Sequence, residues 1–64
     1  MEKYKELYEE RAAIMEFDGG LTREEAEKKA LHEIKWIWID KEGLDIKKLD
    51  TYNKVRIFER YIKS

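Results

Sequence analysis

Cysteine, proline and glutamine are absent from this sequence, and histidine and asparagine each occur once. Without cysteine the chain has no disulfide, no thiolate metal site and no thiol nucleophile. His32 has no second histidine at a metal-ligand spacing, so we expect neither a metal nor another cofactor. No serine or threonine lies beside a general base in a recognisable pattern. We therefore expect a protein that is not an enzyme and has no small-molecule substrate.

Long apolar runs are also missing. The most apolar stretch, residues 34–39, falls far short of the roughly 20 residues that a membrane-spanning helix needs. We therefore expect a soluble, cytoplasmic protein that makes no contact with a membrane. Glutamate and lysine are abundant, which together with the missing glutamine and cysteine is typical of thermophile proteins, although the missing proline is not.

The chain has 64 residues and shows no repeat, linker or low-complexity tract, so we expect a single domain over residues 1–64. A domain of this size buries only about 60% of the surface that its unfolded chain exposes. We therefore expect a protein partner or association with a second copy of the chain, either of which would add stability.

Residues 15–26 predict the end of one helix, a short connection and the start of a second helix. Gly19 is expected just beyond the first helix, because glycine adopts positive φ without a Cβ clash. Thr22 and Glu25 have the spacing of a capping box, in which each side chain bonds the other residue's amide. A connection as short as residues 18–21 usually makes the two helices antiparallel neighbours.

Residues 10–27, ERAAIMEFDGGLTREEAE, form a recognisable segment. It resembles a helix-loop-helix that recurs in proteins of bacterial phages, plasmids and integrated elements, including some primase-type replication proteins, where it lies outside the catalytic domain. The resemblance covers less than a third of the chain and includes no catalytic motif. It implies a mobile-element context and no particular activity.

The spacing of apolar residues predicts an all-α domain with an antiparallel helix pair, at about residues 2–18 and 23–41, and a third helix at about residues 51–62. Gly43 is expected to end the second helix in a Schellman motif. Asp50, or alternatively Asp45, is expected to cap the third. Core positions are expected at Tyr4, Leu7, Tyr8, Ala12, Ile14 and Met15, at Ala26, Ala30, Leu31, Ile34, Ile37 and Trp38, and at Tyr52, Val55, Ile57, Phe58, Tyr61 and Ile62.

Residues 34–39 are apolar in nearly all directions if they are helical. Such a segment either lies between the other helices or faces a partner. Trp36, Trp38 and Ile39 are therefore candidates for a protein interface, with burial in the core as the equal alternative. A short strand is a competing assignment, but the sequence offers no second strand to pair with it.

Charge is distributed unevenly along the chain. Residues 1–45 carry 8 basic and 13 acidic side chains, and residues 46–64 carry 6 basic and 2 acidic ones. Arg56, Arg60 and Lys63 are spaced i, i+4, i+7, which places them on one face of a helix. Such a row can meet successive phosphates, although the helix dipole alone also favours cations near a helix C-terminus. The candidate nucleic-acid-binding residues are Lys47, Lys48, Lys54, Arg56, Arg60 and Lys63.

Two functional hypotheses result. The first is a non-catalytic accessory or adaptor protein of a phage or mobile element, which acts through a helical protein-interaction surface around Trp36 and Trp38. The alternative is a nucleic-acid-binding protein, in DNA replication or regulation, that uses the basic stripe of the third helix. In that case Tyr52 and Tyr61 would be available to stack on unpaired bases.

Overall fold

Three α-helices form the structure, a computed structural model that describes residues 2–64. Helix α1 spans Glu2–Phe17, α2 spans Arg23–Glu42 and α3 spans Leu49–Lys63. The described residues contain no strand. The predicted all-α domain is confirmed, and each predicted helix boundary lies within two residues of the observed one.

Helices α1 and α2 run antiparallel and share the largest helix contact of the domain. Ion pairs join the two helices at their middles, where Arg11 Nη1 lies 2.8 Å from Glu33 Oε2. A second pair lies near the connection, where Arg23 Nη1 is 4.0 Å from Glu16 Oε1. The predicted antiparallel pair is therefore confirmed, and α3 packs against both of its helices.

The two glycines between α1 and α2 serve different purposes. Gly20 has the positive φ, +70°, whereas a Cβ at Gly19 would lie 2.7 Å from the carbonyl oxygen of Met15. Our prediction of positive φ at Gly19 is therefore wrong by one residue. The amides of Asp18 and Gly19 both donate to the Ile14 carbonyl, at 2.8 and 3.3 Å. The residue with left-handed backbone conformation therefore lies one position later than expected, although α1 itself ends at Phe17.

The predicted capping box at the start of α2 is confirmed. The Thr22 hydroxyl accepts a hydrogen bond from the Glu25 amide at 3.2 Å. The Glu25 carboxylate accepts one from the Thr22 amide at 3.2 Å and another from the Thr22 hydroxyl at 2.9 Å. The bond from the Thr22 hydroxyl, and to a smaller extent the bond from the Thr22 amide, favour the ionised carboxylate. They therefore hold the pKa of Glu25 below its ordinary value.

The end of α2 is the predicted Schellman motif. Gly43 has φ +64° and donates its amide to the Asp40 carbonyl at 3.2 Å. The Leu44 amide reaches the Ile39 carbonyl at 3.1 Å. Leu44 also packs against the core cluster, to which Ile39 belongs.

Helix α3 begins earlier than expected and without a side-chain cap. Lys48 occupies the N-cap position and its side chain makes no capping hydrogen bond. The predicted cap Asp50 is wrong, because Asp50 lies inside the first helical turn. Asp45 is not the cap either. It accepts bonds from the amides of Lys47, at 3.0 Å, and Lys48, at 3.1 Å, and so forms a turn before the helix.

The core lies where α3 meets the α1–α2 pair. Trp38 of α2 stacks on Phe58 of α3, with ring centroids 4.3 Å apart and an interplanar angle of 8°. Tyr4 of α1 contacts the same Phe58 ring edge to face at 5.8 Å. The buried cluster consists of Tyr8, Ala30, Leu31, Ile34, Trp38, Ile39, Phe58 and Ile62.

Three predicted core positions are instead exposed: Ile14 by 52%, Tyr52 by 58% and Ile57 by 61%. Each is next in sequence to a residue on the covered side of its helix, and adjacent helical residues point about 100° apart. The covered side of α1 and α3 is therefore narrower than the apolar pattern suggested. On α3 it includes a polar residue that we did not predict, Thr51, which is only 5% exposed.

Burial also affects one ionisable group of α1. The phenol of Tyr8 is buried against the core, which raises its pKa, and Glu27 adds a smaller effect in the same direction. Both causes disfavour the phenolate. Tyr8 is therefore held neutral more firmly than a solvated tyrosine.

Candidate nucleic-acid interface

The basic stripe of α3 is present as predicted. Arg56, Arg60 and Lys63 are all exposed, and together with Tyr52 they line one shallow, open surface formed by residues of α3. Phe58 and Ile62 fix this orientation, because they are buried and hold the opposite side of α3 against α1 and α2. The three cations therefore face solvent along a single surface, which we call the α3 groove.

The cations of the α3 groove make no ion pair within the described residues. Four ion pairs occur in residues 2–64, and all of them join side chains of α1 and α2. Glu59 also lines the groove, but it is not within ion-pair distance of a cation. With three basic residues and one acidic residue, the groove has a net positive charge.

The charge of α3 is opposite to that of the other two helices. Helix α3 has four basic and two acidic residues, whereas α1 has three basic and five acidic residues, and α2 has five basic and six acidic ones. An anionic ligand is therefore attracted to α3 and repelled by α1. This difference gives the domain one cationic side.

Tyr52 and Arg56 form a pair within the α3 groove. They are one helical turn apart, and the Arg56 guanidinium lies over the Tyr52 ring, 5.9 Å from its centroid. Tyr52 remains 58% exposed. The groove thus combines cations with an accessible aromatic ring. Tyr61, the other tyrosine named as a stacking candidate, is half-buried and has Lys5 Nζ 5.6 Å from its ring centroid.

The three remaining candidate lysines are exposed but lie outside the groove. Lys47 and Lys48 belong to the turn before α3. Lys54 is two residues from Arg56, so the two side chains point about 200° apart around the helix. None of these three lysines extends the row of cations in the groove.

The structure separates the three candidates for a protein interface. Trp38 and Ile39 are 6% and 7% exposed and belong to the core cluster. Trp36 is 44% exposed on the outer side of α2. It contacts His32 edge to face at 6.3 Å. Of these three side chains, only that of Trp36 is therefore accessible to a partner.

Exposed apolar side chains occur at positions that sequence reasoning did not single out as a site. Leu49 and Phe17 are 74% and 81% exposed. Leu49 lies nine residues before Phe58, which is two and a half helical turns. Once Phe58 is known to be buried, a helical wheel therefore places Leu49 on the opposite, exposed side of α3. The whole chain exposes 5044 Å², compared with about 4400 Å² for a typical monomer of this mass. The accessible surface of the domain is therefore larger than is typical for a monomer of its mass.

Two other kinds of site are absent from residues 2–64. No helix there is long and apolar enough to cross a membrane. No group of three or more histidine, aspartate or glutamate side chains is placed to hold a metal ion.

Residues 10–27 form the second half of α1, the connection and the first turn of α2. Their polar side chains take part in the fold: Thr22 and Glu25 form the capping box, and Arg23 lies 3.6 Å from Glu27. None of residues 10–27 lines the α3 groove. Comparison of the chain with protein-family models, with curated proteins and with solved structures gives no match.

Proposed function

We propose that this chain is a small, non-catalytic nucleic-acid-binding protein that contacts phosphates through the α3 groove. The observation that carries the proposal is the row of Arg56, Arg60 and Lys63, exposed on one side of α3 and free of any ion pair in the described residues. Burial of Trp38 and Ile39 makes the protein-interface hypothesis the weaker of the two.

The spacing of these cations suits a polyanion. Successive members of the row are about 6 and 4.5 Å apart along the helix axis, because an α-helix rises 1.5 Å per residue. Such a row contacts neighbouring phosphates and releases their condensed counterions. Three phosphate contacts give a slope of log K against log salt of about −2 to −3.

The biological setting that we propose is a phage or other mobile element. The support is the resemblance of residues 10–27 to segments of replication proteins from such elements. The protein would then be an accessory factor in DNA replication or regulation. Its α1–α2 pair serves as the scaffold, and its α3 helix serves as the contact surface.

Fluorescence anisotropy with labelled single-stranded and duplex DNA, titrated between about 50 and 200 mM salt, tests the proposal. We expect binding that weakens steeply with salt and is abolished by the combined changes Arg56→Glu, Arg60→Glu and Lys63→Glu. The matched control changes three exposed lysines of α1 and α2, Lys3, Lys29 and Lys41, to glutamate. Both variants have the same net charge, so only the position of the charge differs.

The control is expected to retain most of the binding, and circular dichroism is expected to show that both variants keep their helices. Absence of binding at the lowest salt would overturn the proposal. Equal loss in the two variants would also overturn it, because it would show a general charge effect without a site on α3.

A second candidate function is contact with a protein partner through Trp36. It is favoured by the 44% exposure of this side chain and by the frequency of tryptophan at interface hot spots. The test is sedimentation equilibrium over a range of protein concentrations. Self-association that Trp36→Ala weakens without loss of helicity would support this function. A monomer at all concentrations would exclude a second copy as the partner.

A further inference from the structure

The α3 groove contains one group that contact with phosphates does not require. Tyr52 is 58% exposed at the N-terminal end of the groove. Its ring lies beside Arg56, with the guanidinium 5.9 Å from the ring centroid. A nucleic-acid surface made only for phosphates needs cations and hydrogen-bond donors; the Tyr52 hydroxyl could be such a donor, but the face of its ring is not needed for that contact.

One apolar side chain continues this surface beyond the ring: Leu49, one turn before Tyr52, is 74% exposed. Leu49 and Tyr52 both lie on the half of α3 that faces away from Phe58. The outer side of α3 thus combines a row of cations with apolar and aromatic area. Phosphates do not cover such area favourably, whereas the faces of bases do.

We infer that the α3 groove selects single-stranded over duplex nucleic acid, with an unpaired base stacked on Tyr52 while Arg56, Arg60 and Lys63 hold the adjacent phosphates. In a duplex each base is stacked between its neighbours and paired, so its face is not free to contact a ring. In a single strand every base offers its face, and stacking on an aromatic side chain is tolerant of sequence. This inference rests on the proposed function and specifies its ligand.

The arrangement of charge supports a strand that follows α3. Tyr52 and Lys63 are 11 residues apart, which is about 16 Å along the helix. The groove is positive along this length, while α1 has more acidic than basic residues. A flexible polyanion is therefore guided along α3 and away from the acidic helix.

The experiment compares Tyr52→Ala and Tyr52→Phe in anisotropy titrations with an oligothymidylate of about 12 nucleotides and with a duplex of the same length. Removal of a stacking ring is expected to weaken single-strand binding by about 5- to 150-fold. Tyr52→Phe keeps the ring and is expected to bind like the unchanged protein. Duplex binding is expected to be weaker than single-strand binding and unaffected by either change.

The salt dependence separates stacking from charge. Tyr52→Ala removes no cation, so its salt slope is expected to equal that of the unchanged protein despite the lower affinity. Val55 lines the groove but packs against the core cluster, so Val55→Ala would change packing and is not a suitable control. The matched surface control is Ile57→Ala, an exposed position on α3 that does not line the groove. It is expected to bind the oligothymidylate within about twofold of the unchanged protein.

Three outcomes overturn the inference. If Tyr52→Ala binds the single strand as well as the unchanged protein does, Tyr52 does not stack on a base. If duplex binds as tightly as single strand and Tyr52→Ala changes both equally, the groove does not select unpaired bases, although the proposed phosphate contacts remain. If neither nucleic acid binds at low salt, the proposed function fails together with the inference.

Discussion

Helices α1 and α2 contact each other over a larger surface than either shares with α3, and the two regions are stabilised by different interactions. The α1–α2 pair contains the capping box at Thr22, the Schellman motif at Gly43 and all four ion pairs of residues 2–64. Helix α3 has no side-chain cap at its N-terminus and no ion pair among these residues. Its attachment depends mainly on the apolar residues Phe58 and Ile62.

This difference shows which charges the fold leaves free. In the α1–α2 pair, Arg11 and Arg23 are used to join helices or to stabilise a helix. On α3, the cations of the groove have no such use. One polar contact ties α3 to α1: Lys5 Nζ donates to the backbone oxygen of Ser64 at 2.7 Å. That contact lies at the C-terminal end and leaves the α3 groove open.

The largest loss of stability is expected when the apolar contact that attaches α3 to the other helices is removed. Phe58 is fully buried and stacks on Trp38, so Phe58→Ala is expected to lower the free energy of unfolding by about 3 to 5 kcal/mol. Urea unfolding followed by circular dichroism measures this loss. The matched control is the neighbouring exposed residue, and Ile57→Ala is expected to change stability by less than about 0.5 kcal/mol. Equal effects of the two changes would show that α3 is not attached through Phe58.

A smaller loss is expected where the α1–α2 pair leads into α3. Gly43 has φ +64°, and no atom lies within 4 Å of the position that a Cβ would occupy there. The cost of Gly43→Ala is therefore one of backbone conformation alone, about 1 to 2 kcal/mol. Gly43→Asn is expected to lose less, because asparagine tolerates this conformation better. Thermal unfolding of both variants measures the difference, and a larger loss for Asn would contradict this explanation.

The capping box at the N-terminus of α2 is the next feature of the α1–α2 pair to test. Thr22→Ala removes the hydroxyl that bonds the Glu25 amide and is expected to cost about 1 kcal/mol. Thr22→Ser keeps a hydroxyl and is expected to retain most of the stability. Urea unfolding distinguishes the two. If serine and alanine are equally destabilising, the capping hydrogen bond does not account for the stability of this helix end.

The features that sequence predicted well are those set by local interactions. Thr22 and Glu25 mark a helix start, and Gly43 marks a helix end, because the groups that bond each other are within a few residues. The row of Arg56, Arg60 and Lys63 was predictable for the same reason, since spacing on a helix decides which side chains share a face. The positive φ of Gly20 was missed because both glycines permit it.

Features that depend on packing were not predictable in this way. Trp36 and Trp38 are two residues apart and point to nearly opposite sides of α2, but only the docking of Phe58 decides which one is buried. Tyr52 and Ile57 fit an apolar helix face, yet the α1–α2 pair covers only part of α3. The absence of ion pairs in the α3 groove also depends on which acidic residues the fold brings close.

Removing a single charge from each region is expected to have a small and unequal effect. The pair between Arg11 and Glu33 is partly exposed, by 40% and 44%, so Glu33→Gln is expected to cost about 0.2 to 1 kcal/mol. Arg60→Gln in the α3 groove removes no ion pair and is expected to leave stability unchanged within about 0.5 kcal/mol. Urea unfolding at low salt measures both. A larger loss for Arg60→Gln would show that the charges of α3 support the fold.

The smallest expected effect is a pH dependence confined to the α1–α2 pair. The bonds from Thr22 hold the folded-state pKa of Glu25 below its ordinary value of 4.5, so folding favours the ionised carboxylate. Its contribution to stability is present above pH 4.5 and is lost as the pH falls through the lower folded-state pKa.

Glu25→Gln isolates this contribution, because its amide does not titrate while the other carboxylates of the two proteins are the same. The difference in unfolding free energy between the two proteins is therefore expected to be larger at neutral pH than at about pH 3. A difference that stays constant over this range would mean that the carboxylate charge of Glu25 adds nothing to the cap. A difference that shrinks toward low pH would place an acid-sensitive contact at the start of α2, in the region whose charges the fold uses.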